Sequence, residues 1–185
     1  MALRRWTAAA TVVLAAACAP PLPAAVPSLS LEGTDGVAHA FHGPRATVLV
    51  FFSEDCPCMR AHDERLIALA GDYAGRGVSF FAVDSEVDAS LATDRARAVS
   101  RGYPFPILVD QGAHAAHAVG AEYATYTVVL DAAGTVVYRG GFDSDHTHLS
   151  SNATTYVRDA LDDIVQGRAV HRPRTDALGC ALRTW

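Results

Sequence analysis

Thr47 to Arg60 reads Thr-Val-Leu-Val-Phe-Phe-Ser-Glu-Asp-Cys-Pro-Cys-Met-Arg, and its two halves obey different rules. Thr47–Phe52 is a continuous apolar run, the pattern of a strand buried on both faces. From about Pro57 to Tyr73 the apolar residues Leu66, Leu69 and Ala70 share one stripe while Arg60, Asp63 and Glu64 take the other, which predicts a helix ended by Gly75 and Gly77. Cys56 therefore sits where a buried strand hands over to a helix. A thiol there faces unpaired amide donors and the positive end of the helix dipole, both of which favour thiolate. Glu54 and Asp55 act the other way, since nearby carboxylates disfavour a second negative charge. A plain alternative is that the two cysteines only pack, or form a structural disulfide.

Outward from this stretch, strand and helix patterns alternate. Val78–Val83 predicts a second strand, Ala89–Arg101 a second helix, Ile107–Val109 a short third strand after Pro104 and Pro106, and Gln111–Val119 a further helix. Thr127–Leu130 and Thr135–Tyr138 flank Asp131-Ala132-Ala133-Gly134, the chemistry of a hairpin turn. Thr154–Val165 closes the series as an amphipathic helix through Tyr156, Val157, Leu161, Ile164 and Val165. This order predicts an α/β protein with a central mixed β-sheet and helices on both faces.

At 185 residues and 50% apolar, the chain is long enough for one domain with a sizeable core. All 15 basic residues are Arg, which excludes lysine-dependent chemistry such as a Walker phosphate loop or a Schiff base. The net charge of −5 leaves no basic face for nucleic acid. Met1–Ala17 has a basic start at Arg4 and Arg5, an apolar run and Ala15-Ala16-Ala17 before Cys18, and reads as a signal peptide with a small-residue cleavage site. Its removal leaves 13 basic against 20 acidic residues. Ala19-Pro20-Pro21-Leu22-Pro23 then reads as a stiff spacer. The expected organisation is a signal peptide over 1–17, an anchor and linker over 18–27, and one domain over 28–185.

With these residues in view, Val48–Leu69 resembles the exported thioredoxin-like proteins of the redoxin, TlpA and ResA kind, in which an apolar strand leads into Cys-Pro-Xaa-Cys-Arg-Ala and a helix. Cys56, Pro57, Arg60 and Ala61 match that pattern, whereas Met59 stands where the second Cys belongs and Cys58 comes one residue early. The family's cis-proline falls at Thr125, or at Tyr126 with a one-residue shift, and neither is Pro. Its absence removes a fixed backbone edge on which substrate segments pair. The later segments Tyr138–Asp143, Asp159–Leu161, Gly167–Val170 and Thr175–Cys180 resemble redoxin-domain proteins that end in a Thr-to-Gly-Cys signature. The resemblance thus spans roughly 28 to 182 and implies a thioredoxin-like fold. Cys18 resembles a bacterial lipoprotein box, which implies a lipid-anchored protein on the periplasmic side of the cell envelope.

The resemblance implies a thiol-disulfide oxidoreductase whose site is Cys56, Cys58 and Cys180. Cys56 would attack a protein disulfide or a small oxidant, Cys58 or Cys180 would resolve, and no cofactor is expected. A disulfide inside Cys56-Pro57-Cys58 closes a small, strained ring, and with Cys18 acylated Cys180 is the remaining thiol outside the loop. Two other classes stay open. Ser53, three residues before Cys56, resembles half of the peroxiredoxin pattern, although Leu49 replaces its Pro and no counterpart of its Arg is found. The copper alternative resembles the Sco assembly proteins through two soft thiolates and a His. That family's His falls near Tyr123, so His146 or His148 would have to substitute, in a segment otherwise read as an exposed polar loop. His62, His114 and His117 read as surface groups, and Asn152-Ala153-Thr154 fits a glycosylation sequon but leads into the last helix.

Overall fold

The computed structural model describes residues 29–184, so the signal peptide, Cys18 and the linker lie outside the described residues. Seven strands form one sheet: β1 (Ser30–Gly33), β2 (Ala38–Ala40), β3 (Ala46–Phe52), β4 (Val78–Asp84), β5 (Ile107–Val109), β6 (Thr127–Asp131) and β7 (Val136–Gly140). Their spatial order is β2-β1-β5-β4-β3-β6-β7. β3, β4 and β5 run parallel, and the other pairings are antiparallel. The helices are α1 (Pro57–Ala74), α2 (Leu91–Arg101), α3 (His114–Val119) and α4 (Tyr156–Val165). This is the mixed, thioredoxin-like sheet with helices that the sequence predicts.

β3 lies between β4 and β6, and all seven of its residues are buried, which explains why it carries no polar alternation. α1 and α2 are the crossovers β3-α1-β4 and β4-α2-β5. Right-handed connections place both on one face of the sheet, where Arg101 of α2 reaches Asp63 of α1 at 3.0 Å. α4 lies beside α1 through Tyr73 Oη, which donates to Asp162 at 2.6 Å, and through the Arg158–Asp72 ion pair.

The element ends follow their caps. α2 begins two residues later than predicted because the Ser90 side chain accepts from the Thr93 amide, and it stops at Gly102 in the left-handed conformation. α3 begins at His114 rather than Gln111 because Gly112 and Ala113 both have positive φ; the Asp110 carboxylate accepts from the Ala115 and Ala116 amides. β1 and β2 are additions. They are short, half-exposed strands around Thr34-Asp35-Gly36, with too little period-2 alternation to be legible alone.

One charged cluster is buried beside the carboxyl end of the sheet. Asp84 and Asp94 are both fully buried and share Arg97, at 3.2 and 2.8 Å. Burial, then repulsion from Asp94, pushes Asp84 up to about 8. Folding therefore takes up a proton between the ordinary carboxylate range and pH 8, and stability falls as pH rises through that interval. Asp84→Asn, which carries an amide where the acid holds its proton, should flatten this slope and raise stability at pH 9 by about 1–3 kcal/mol; urea midpoints from pH 5 to 9 measure it.

Candidate active site

The loop Ser53–Cys56 leaves the end of β3 and turns directly into α1, with Cys56 at the N-cap and Pro57 in the first turn. Pro suits that position because its missing N–H would have no helical partner. Cys56 makes no close side-chain capping bond, yet the amides of Met59 and Cys58 still act on its sulfur. Cys58 follows one turn position later, and both thiols are only 1% exposed. A macromolecular partner therefore cannot touch Cys56 unless something moves.

What covers it is the carboxyl-terminal tail. The Ala124 amide donates to the Cys180 carbonyl and the Leu182 amide to the Glu122 carbonyl, both at 2.9 Å, around an antiparallel bridge between Tyr123 and Ala181. Thr125 Oγ1 donates to the Leu178 carbonyl at 3.0 Å, while its amide donates to Phe51 O at 2.9 Å. Gly179 packs so closely on this edge that a Cβ would overlap the Ala124 carbonyl oxygen. Further back, Thr175 meets Tyr138 Oη at 2.7 Å and the Gly141 amide at 3.0 Å. Beyond the cysteine, Arg183 pairs with Glu86 at 2.9 Å and Asp88 at 3.1 Å.

Thr125 occupies the place where a cis-proline is expected by resemblance. Its φ is +70°, and no described peptide bond is cis. The backbone edge around it is present after all, and the chain's own tail is paired to it.

This docking brings the sulfurs of Cys56, Cys58 and Cys180 within 4.8 Å of one another, all three as free thiols. Burial works against a Cys56 thiolate, but the Cys180 thiol donates a hydrogen bond to it, and the Met59, Cys180 and Cys58 amides add to that; the net result is a lowered pKa. Cys180 moves the other way, up to about 12, through burial, then its hydrogen bond to Cys56, then the Cys56 charge. Cys58 is also raised, by burial and by Cys56. One thiolate is thus held by two protonated neighbours.

The opposition expected from Glu54 and Asp55 is largely removed. Glu54 is neutralised by Arg101 at 2.9 Å and Arg60 at 3.1 Å. The Asp55 side chain is 84% exposed, where solvent screens it.

Two histidines depart from the sequence reading. His62 is no surface group: it is 2% exposed, on the buried stripe of α1 with Leu66, Leu69 and Tyr73. Its Nδ1 lies 2.7 Å from the Cys58 carbonyl and its Nε2 3.1 Å from Asp143. Both nitrogens face acceptors, an arrangement that the doubly protonated ring satisfies at both positions. Burial opposes the charged form, and the hydrogen bonds to Asp143 and the Cys58 carbonyl, together with the Asp143 charge, outweigh it and raise the pKa. Asp143 also takes Arg65 and the Asp145 amide. The Asp143–Ser150 loop is thereby pinned to α1. It carries His146, whose ring is exposed as expected yet places Nε2 2.9 Å from Cys58 Sγ. His148 stays exposed, as do His114 and His117. His62 was findable in sequence from its i, i+4 spacing to Leu66; the His146 contact, spanning 88 residues, was not.

A thioredoxin-like fold with a cysteine at the strand-to-helix junction and two further thiols beside it defines a thiol-based redox protein, a thiol-disulfide oxidoreductase or peroxidase in general terms. The family model described as Redoxin matches residues 20–157, and the chain belongs to the redoxin family. Cys180 lies beyond the matched residues. The chain is similar to an uncharacterized conserved protein from Geobacillus kaustophilus, at 30% identity and a TM-score of 0.80 over 89% of this chain and 92% of the other. It is similar to a hypothetical protein from Sinorhizobium meliloti at 26% identity and a TM-score of 0.80, over 91% and 97%. A putative thioredoxin from Neisseria meningitidis shares the fold at 20% identity and a TM-score of 0.56, over 64% and 79%. No curated protein matches.

Gly179→Ala separates tail docking from the helix effect. The added methyl pushes the tail off Ala124, which uncovers Cys56 and takes away its Cys180 donor; alkylation by iodoacetamide should reach a faster limiting rate at high pH, with the midpoint of the pH–rate curve moved upward. The His62–Asp143 pair gives a second expectation. A raised His62 pKa contributes stability that is full below pH 6.5 and lost as pH rises through the folded value. Amide exchange in the 143–150 loop should therefore quicken with pH beyond the intrinsic rate, and His62→Gln should abolish that excess.

Proposed function

We propose that the chain is an exported, lipid-anchored thiol-disulfide oxidoreductase in which Cys56 attacks and Cys180 resolves. The observation that carries this reading is the Cys180 tail paired to the strand edge beside Cys56. The Cys56 thiolate attacks one sulfur of a partner disulfide, forming a mixed disulfide and releasing the partner's other sulfur as thiolate. That step removes the negative charge which helped to hold the Cys180 proton. Cys180 then gives up its proton, to the released thiolate or to solvent, and attacks Cys56. A Cys56–Cys180 disulfide forms and the second partner sulfur leaves, so the partner is reduced by two electrons. The resolving thiol is thus activated only after the first has reacted.

Cys58 takes a different part. As the second residue of α1 it would have to close a strained ring with Cys56, whereas its Sγ lies 2.9 Å from His146 Nε2. It tunes Cys56 and does not resolve it. Access to Cys56 requires the tail to lift for a protein partner. A small oxidant needs a far smaller opening, and this favours thiol peroxidase activity as the second reading, with peroxide in place of the partner disulfide.

With a fluorescent disulfide-linked peptide as substrate, Cys56→Ser should lose activity by at least about a hundredfold. Cys180→Ser should accumulate a Cys56 mixed disulfide visible by mass, and Cys58→Ser should turn over within about tenfold of the parent. Unchanged turnover in Cys56→Ser overturns the proposal. Hydrogen peroxide consumed faster than the peptide disulfide replaces it with the peroxidase. For the anchor, radiolabelled palmitate should enter the parent chain and not Cys18→Ser.

A further inference from the structure

The same three sulfurs have a second use that disulfide exchange does not require. We propose that the reduced chain binds one closed-shell d10 metal ion, Cu(I) or Zn(II), through Cys56, Cys58 and Cys180, with His146 as the fourth ligand. The observation is one of convergence: one sulfur from the N-cap of α1, one from its first turn and one from a tail more than 120 residues later lie within 4.8 Å of one another, and an imidazole nitrogen from a pinned loop touches the Cys58 sulfur. Resolving a mixed disulfide needs two thiols. A third thiol, buried and facing an imidazole, is surplus to that chemistry.

The distances suit an ion. Three thiolates around a metal at ~2.3 Å stand ~3.8–4.0 Å apart, so sulfurs within 4.8 Å of one another need to close by less than about 1 Å. The donor set, three thiolates and an imidazole, belongs to closed tetrahedral zinc, and thiolates also select Cu(I). His146 Nε2 at 2.9 Å from Cys58 Sγ is a hydrogen bond in the metal-free state. Two ligands of one ion sit ~3.5 Å apart, so the ring has to swing from Cys58 toward the other two sulfurs to complete the set.

The surroundings favour it as well. His62, Asp143 and Arg65 fix the loop that carries His146, so the fourth ligand is supported from behind. A metal ion bound by the sulfurs displaces their protons.

Ligation and disulfide formation are mutually exclusive, because both use the electron pairs of Cys56 and Cys180. A partner disulfide that takes two electrons from these thiols removes two ligands and releases the ion. This consequence, unlike the metal site itself, rests on the proposed redox function.

The test uses the full chain carrying Cys18→Ser, to keep the fourth cysteine out, reduced with a phosphine and handled without oxygen. Zn(II) is titrated in competition with 4-(2-pyridylazo)resorcinol, and Cu(I) in competition with bicinchoninate. One equivalent bound in at least one arm is expected, and the stronger arm identifies the ion. Cys58→Ser and Cys180→Ser should each weaken binding by at least about tenfold, as should His146→Ala, while His148→Ala leaves it unchanged. Chain oxidised with glutathione disulfide should bind none. Under about 0.2 equivalents in both arms, or undiminished binding in Cys58→Ser and Cys180→Ser alike, overturns the site; undiminished binding in His146→Ala removes the fourth ligand. Circular dichroism of each variant separates lost binding from lost fold. Mass mapping of the oxidised chain keeps the two functions apart. A Cys56–Cys180 disulfide without metal uptake leaves the redox reading standing alone, and metal uptake without that disulfide leaves only the metal site.

Discussion

The tail's pairing with the segment that precedes β6 is the constraint on which the site depends. Two backbone hydrogen bonds, from Ala124 to Cys180 and from Leu182 to Glu122, fix the position of a cysteine that is otherwise remote in sequence. Gly179 permits the approach because any side chain there meets the Ala124 carbonyl. Arg183 fastens the far end through Glu86, a carboxylate that is itself buried. Without this arrangement Cys56 would be a thiol at a helix start, opposed by burial and lacking its principal hydrogen-bond donor.

The docked tail also changes what the missing proline means. A peptide edge held open in this fold is a place for a substrate strand to pair. Here Thr125 adopts a positive φ, binds Leu178 through its hydroxyl and leaves the edge to the chain itself. The tail resembles an internal substrate, delivered by covalent connection and therefore at high effective concentration. That arrangement trades easy access by large partners for a third thiol held beside Cys56.

Charge placement shows the same economy. With Arg as the sole fixed cation, forked donors neutralise the acids that would oppose a thiolate. Arg101 holds both Glu54 and Asp63, and Arg65 joins Asp143 and Asp145. His62, when protonated, donates to both Cys58 O and Asp143. Each buried carboxylate in this region is paired, as low-dielectric surroundings demand. The Asp84–Asp94 pair departs from that rule because one Arg serves two acids.

The sequence by itself determined the frame. The apolar run Thr47–Phe52, the helix stripe through Leu66 and Leu69, and the Asp131–Gly134 turn carry local periodicity and turn chemistry, so β3, α1 and the β6–β7 hairpin were legible within a residue or two. It also marked Cys56, because a strand-to-helix junction is a local feature. β1 and β2 were not legible, since short half-exposed strands draw their identity from the neighbours they pair with. Which thiol meets Cys56, whether Glu54 opposes it, and where His62 and His146 point were decided by the tertiary structure alone. Each depends on contacts between segments some 40 to more than 120 residues apart, and no local pattern encodes a distance across the fold.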